Sequence, residues 1–96
     1  MKEGDIRKLL KARVEAYGGE VRAVSWLGRK NAPDVLALFP QSIPDPVAPP
    51  TYVETKRPGK DATAAQAREH ERMRAAGCVV RMVRNEQELD AWLPPL

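Results

Sequence analysis

Glu54-Thr55-Lys56 sets an acid and an amine two residues apart, and on a strand a two-residue step returns a side chain to the same face. Taken alone, such a pair is most simply an exposed ion pair on a sheet surface. Asp34 changes its meaning, because it stands directly after Pro33 at the mouth of another apolar run, and hairpin pairing of the two runs would bring its carboxylate beside Glu54. Two carboxylates and a backbone carbonyl, here that of Thr55, make a partial shell for Mg²⁺ or Mn²⁺, which prefer oxygen ligands and keep several waters. Such a site suits phosphodiester hydrolysis: the cation polarises the phosphate, lowers the pKa of a bound water and offsets charge in the transition state. Lys56 would orient or deprotonate that water, or support the charged phosphate, and the role of base requires surroundings that depress its pKa.

The elements that must position these residues can be read from periodicity. Ile6, Leu9, Leu10, Val14 and Tyr17 recur at spacings of three and four, which predicts an amphipathic helix from Glu3 to Tyr17, stopped by Gly18-Gly19. Glu20 to Trp26 reads as a short strand, and residues 27–33 as a loop. Asp34 to Phe39 is nearly all apolar and has strand length, which suits a central strand covered on both faces. Pro40 to Pro50 holds five prolines and predicts a stiff extended loop, after which Thr51 to Arg57 forms a strand that pairs back on the previous one. Thr63 and Gln66 have the spacing of a capping box for a helix that runs to Ala76 and ends at Gly77. Cys78 to Val83 reads as a buried strand, reached by a parallel crossover, and Asn85 with Glu88 opens a last short helix before Pro94-Pro95. The order α-β-β-β-α-β-α predicts an α/β domain with a mixed sheet of about four strands flanked by helices. No internal repeat is visible.

Length and composition bound the function classes. Ninety-six residues with 43% apolar side chains suit one domain over residues 1–96, with a proline-rich loop at 40–50. No run is long and apolar enough to span a bilayer or serve as a signal peptide, so the expectation is a soluble, intracellular protein with no membrane partner and no small-molecule cofactor. One cysteine (Cys78) and one histidine (His70) exclude an internal disulfide and a structural zinc site, which leaves oxygen to hold any metal. The formal charge of +3 is compatible with a polyanionic partner. It gains weight once several acids are assigned to a cation, because Arg29, Lys30, Lys56, Arg57 and Lys60 then surround the site.

The remaining candidates each carry two readings. Glu3 either supports the site or only meets the dipole of the first helix, and Gln66 either faces the metal water or only returns a hydrogen bond to Thr63. His70, one turn beyond Gln66, could reach the same cleft, although a lone histidine on a half-apolar helix more often packs. Arg29 and Lys30 either hold phosphates or are solvated loop charges. Cys78 reads as a small buried hydrophobe, and Trp26 and Trp92 as packing residues rather than base-stacking platforms.

Taken in order, Glu3, Ala32-Pro33-Asp34, Val53-Glu54-Thr55-Lys56, Gln66 and Gly77 resemble the VRR-NUC family of the PD-(D/E)xK nuclease superfamily. The resemblance extends from Glu3 to Trp92 and includes Gly28-Arg29 ahead of the Pro-Asp pair. It implies a restriction-endonuclease-like core and a DNA endonuclease that uses Mg²⁺ or Mn²⁺. Asp34 and Glu54 would be ligands, Lys56 catalytic, and Glu3 and Gln66 supporting residues. It further implies the stand-alone viral type, a homodimer that acts on branched DNA, for a virus in the host cytoplasm. The chain departs from the family in its Pro40 to Pro50 segment, which is longer than the tight connection usual there. Two other classes share these features. One is a non-catalytic DNA-binding module of the same fold, and the other is a protein-interaction domain that docks through the proline-rich loop.

Overall fold

Ile6, Leu10 and Val14 lie one helical turn apart and are all buried, so the first helix, α1 (Glu3–Ala16), turns a single apolar stripe inward. The computed structural model describes residues 1–44 and 47–96, and the part of the proline-rich stretch at 45–46 lies outside the described residues. At the helix start the Asp5 carboxylate accepts from the Lys2 N–H at 2.8 Å. At its end the Gly18 and Gly19 N–H groups donate to the carbonyls of Glu15 and Val14, which closes the last turn.

Gly19 has a second reason to be glycine, since a Cβ there would sit 2.2 Å from the Leu38 carbonyl oxygen and 3.0 Å from Val14 Cγ1. Gly19→Ala is therefore expected to cost about 2–3 kcal/mol, read as a lower urea midpoint with an unchanged m-value.

Four strands follow: β1 (Glu20–Ala23), β2 (Val35–Leu38), β3 (Thr51–Thr55) and β4 (Val79–Val83). They lie side by side in chain order, with β1–β2 and β2–β3 antiparallel and β3–β4 parallel. The parallel pair is joined through α2 (Ala64–Ala75), and α3 (Glu86–Trp92) follows β4. This is the α-β-β-β-α-β-α order and mixed sheet that the periodicity predicts. On one sheet face Val35, Ala37, Val53 and Val83 pack with the α1 stripe and with Leu89, Trp92 and Leu93. The alternate residues Leu36, Tyr52 and Glu54 point the other way, toward α2.

Both predicted helix starts form. Thr63 Oγ1 accepts from the Gln66 N–H at 3.1 Å while Gln66 Oε1 accepts from the Thr63 N–H at 3.0 Å, and Asn85 Oδ1 accepts from the Glu88 N–H at 2.8 Å.

The strands are shorter than expected at several ends. The Val24 N–H still pairs with the Asp34 carbonyl at 2.9 Å, but Trp26 turns away to donate its indole N–H to the Pro33 carbonyl, which ends β1. The strand expected over Cys78 to Val83 is a sheet edge and not a buried element; only Val80 and Val83 are buried, and Cys78 lies half-buried outside it. The proline-rich segment is not uniformly extended. Prolines lack donors but their carbonyls still accept, and the Ile43 N–H folds back onto the Pro40 carbonyl at 3.0 Å while Val47 packs against the core. Among the described residues no helix is long and apolar enough to cross a membrane.

Candidate active site

Antiparallel pairing places Val35 opposite Val53 and Leu36 opposite Tyr52, so one step further Asp34 stands opposite Glu54 at the same end of the sheet. The register brings both carboxylates to one end of the sheet, where Asp34 meets Arg7 of α1 and Glu54 meets His70 of α2, with Lys56 two residues beyond Glu54. Their surroundings differ. Glu54 is 8% exposed, whereas the Asp34 side chain is 56% exposed and accepts from Arg7 Nη2 at 3.1 Å.

Burial pushes the Glu54 carboxyl up to about 7; Asp34 and Glu3 add to the rise, while Lys56 and Arg7 oppose it. His70, 3% exposed on α2, sets its Nε2 3.4 Å from Glu54 Oε1. Burial and the nearby Arg74 hold the imidazole below its ordinary pKa, so it is neutral at pH 7.

Beside these residues lies a cleft of about 430 Å³ lined by Glu3, Lys56, Arg57, Lys60, Asp61 and Thr63. The fold thus gathers Glu3, Asp34, Glu54, Lys56, Arg57 and Lys60 around one end of the sheet. Thr55 alternates with its neighbours, so its side chain is fully buried on the opposite face and only its main chain can serve this side.

Gln66 is not brought to Glu54 in the same way, because its amide oxygen is engaged by the Thr63 N–H. Arg29 lies elsewhere, with Nε 3.4 Å from Glu69 Oε2, against a separate cavity of about 200 Å³ that also contacts Trp26, Arg72, Met73, Ala76 and Cys78. Lys30 is exposed on the same loop. Both tryptophans pack: Trp26 against Tyr52 at 5.4 Å between ring centroids, and Trp92 edge-on to Phe39 at 5.9 Å.

Arg7 and Glu69 gain roles that the sequence reading did not assign, and His70, which it weighed between reaching the cleft and packing, does reach it. Arg7 holds Asp34, and its signal was present in the Glu3 to Arg7 spacing, which sets both on one face of α1. Glu69 is a buried acid, 3% exposed, held by Arg72 Nη2 at 2.9 Å as well as by Arg29. His70 is the direct neighbour of Glu54.

Among the described residues, no three acidic, histidine or cysteine side chains form a metal-ligating group. Two opposed carboxylates with an adjoining main-chain carbonyl are nevertheless a hard oxygen donor set. The rise in Glu54 comes first from burial, and a divalent cation beside the carboxyl would favour its ionised form.

A Pro-Asp at the start of one strand, a Glu-x-Lys at the end of its antiparallel neighbour and a crossover helix to a parallel strand define an α/β domain of the PD-(D/E)xK class. No family model matches the chain. The chain is 34% identical over 94 residues to "Putative nuclease p44" of Acyrthosiphon pisum secondary endosymbiont phage 1, covering 98% of this chain and 94% of that protein. It superposes on a solved structure described as "VRR_NUC domain" with a TM-score of 0.78 and 37% identity, over 95% of this chain and 92% of that one. The chain belongs to the VRR-NUC family of nucleases.

Proposed function

We propose that this protein is a divalent-metal-dependent endodeoxyribonuclease that hydrolyses phosphodiester bonds in branched DNA such as four-way junctions or flaps. The observation that carries the reading is the register that sets Asp34 opposite Glu54, with Lys56 on the same face beside a basic cleft. Asp34, Glu54 and the Thr55 main-chain carbonyl would hold Mg²⁺ or Mn²⁺, which supplies phosphate polarisation and activation of water. Lys56 places a cation where a phosphate enters the cleft and neutralises charge that builds on it. Arg7 fixes the exposed Asp34 carboxylate, which otherwise has the freedom of a surface side chain. Glu3 adds negative charge that strengthens the site's demand for a cation. Gln66 contributes through its cap, which sets the start of the helix from which His70 reaches Glu54.

Arg57 and Lys60 line the cleft and would hold phosphates on one side of the reacting bond, with Arg29 and Lys30 on the other loop. A chain this small offers few surfaces for gripping a duplex, and a homodimer would supply a second active site for the opposite strand.

The test is incubation with nicked, flapped, four-way and linear DNA, with Mg²⁺, with Mn²⁺ and with EDTA. Cleavage is expected only with metal, and foremost on the branched substrates. Binding should weaken with salt with a log–log slope of about −3 to −4 if these four cations each neutralise one phosphate. Salt-sensitive binding without cleavage of any substrate would instead mark a DNA-binding module. Absence of DNA binding would favour a protein-interaction domain.

A further inference from the structure

The connection between β1 and β2 ends in Asp34, and its tip carries Leu27, whose side chain is 99% exposed. The other large hydrophobic residues so exposed among the described residues are Met1 and Leu96, at the two ends of the chain. A single exposed leucine is ordinary on a floppy loop, but this loop is built. Its base is closed by the Val24 N–H to the Asp34 carbonyl at 2.9 Å and by the Trp26 indole N–H to the Pro33 carbonyl at 2.7 Å. The Trp26 ring rests on Tyr52, and Arg29 pins the far side to the buried Glu69. Gly28 and Asn31 adopt left-handed backbone angles, φ +71° and +67°, which turn the chain so that Leu27 projects outward.

We propose that Leu27 is an apolar wedge that enters the opened base step of a branched DNA and gives the enzyme its preference for branches. The proposal rests on the nuclease reading above. An apolar side chain presented to water on a braced loop gains free energy when a partner covers it, and the exposed Lys30 close by, with Arg29 half-exposed beside Glu69, favours a polyanion as that partner. Stacked bases are the apolar surface that a polyanion offers. Unstacking an intact duplex step costs a few kcal/mol, whereas a branch point or nick presents a step already open, so the wedge discriminates between them. The tip is at the same end of the sheet as Glu54 and one short loop from Asp34, which places the distorted step close to the bond to be cut.

The experiment compares the native chain with Leu27→Ala and Leu27→Met on a four-way junction and on linear duplex in Mn²⁺. Leu27→Ala is expected to lower kcat/KM on the junction about tenfold with little change on duplex, while Leu27→Met retains the preference. A second readout does not need turnover: 2-aminopurine at the branch should brighten on binding the Glu54→Gln protein and stay dark with Glu54→Gln/Leu27→Ala. Because Leu27 packs against nothing, both variants should keep the native melting temperature. An unchanged junction-to-duplex ratio with equal 2-aminopurine signals would overturn the wedge while leaving the nuclease intact. Equal losses on both substrates, together with a shift to monomer in sedimentation, would assign Leu27 to a contact between two copies and overturn it as well. Failure of the native chain to cut any substrate would count against the nuclease reading, and the fluorescence comparison would still decide the wedge.

Discussion

Glu54→Gln is expected to lower DNA cleavage by about three orders of magnitude or more while the chain stays folded. The substitution is nearly isosteric, and it removes a buried carboxyl that stands opposite Asp34 on the neighbouring strand and adjoins Lys56. A neutral amide cannot offset a divalent charge, so on the proposed mechanism both affinity for the cation and stabilisation of the phosphate would fall together. Asp34→Asn should behave alike but less severely where metal is in excess, because its exposed carboxylate already shares its charge with Arg7. Plasmid nicking in Mn²⁺, read as a first-order rate against a circular-dichroism melt of the same sample, checks both. Activity of Glu54→Gln within tenfold of the native chain would remove Glu54 from the chemistry.

In metal-free protein, stability should fall as pH rises from about 5 to about 8, and Glu54→Gln should abolish most of that fall. The direction follows from proton binding. The Glu54 carboxyl titrates near 7 when folded and at its ordinary value of 4.5 when unfolded, so between those values the folded chain holds a proton that the unfolded chain has lost. Ionising Glu54 therefore costs the folded state, and the cost is complete above pH 7. A shift of this size corresponds to about 3 kcal/mol, or about 12–24 °C in Tm for a chain of this length. His70 acts in the opposite sense, since its folded pKa is lowered and its contribution is lost as pH falls through 6.5. The difference between the native and Glu54→Gln melts isolates the carboxyl.

If Glu54 binds the proposed cation, the same shift would govern that binding. Below pH 7 a metal would have to displace the Glu54 proton, so the apparent Kd for Mn²⁺ should tighten up to about tenfold per pH unit and level off above 7. Thermal melts at pH 6 and pH 8, with Mn²⁺ and with EDTA, should show the larger metal-induced rise at pH 8. A rise independent of pH would mean that Glu54 is not the group displaced.

Much of the arrangement was legible before any coordinates. The stripe of Ile6, Leu10 and Val14, the Thr63 to Gln66 box and the Asn85 to Glu88 cap are local, because each depends on neighbours within one helical turn. Hairpin pairing and the parallel crossover follow from strand length and connection length, and these sufficed to suggest that Asp34 and Glu54 meet. Other features were not legible. Strand ends depend on competing partners such as Trp26 with the Pro33 carbonyl, and β4 looked buried because an apolar run does not say whether a further strand will cover its edge.

The amino-acid order alone determined which groups could do chemistry and which of them share a face, because side-chain periodicity is a property of backbone geometry. Tertiary structure alone decided the environment of those groups: that Glu54 is enclosed beside His70 while Asp34 remains open and held by Arg7, and that Leu27 is left in water on a braced loop. Burial and long-range pairing arise from contacts between residues far apart in the chain, such as Arg7 with Asp34, and no local pattern encodes them.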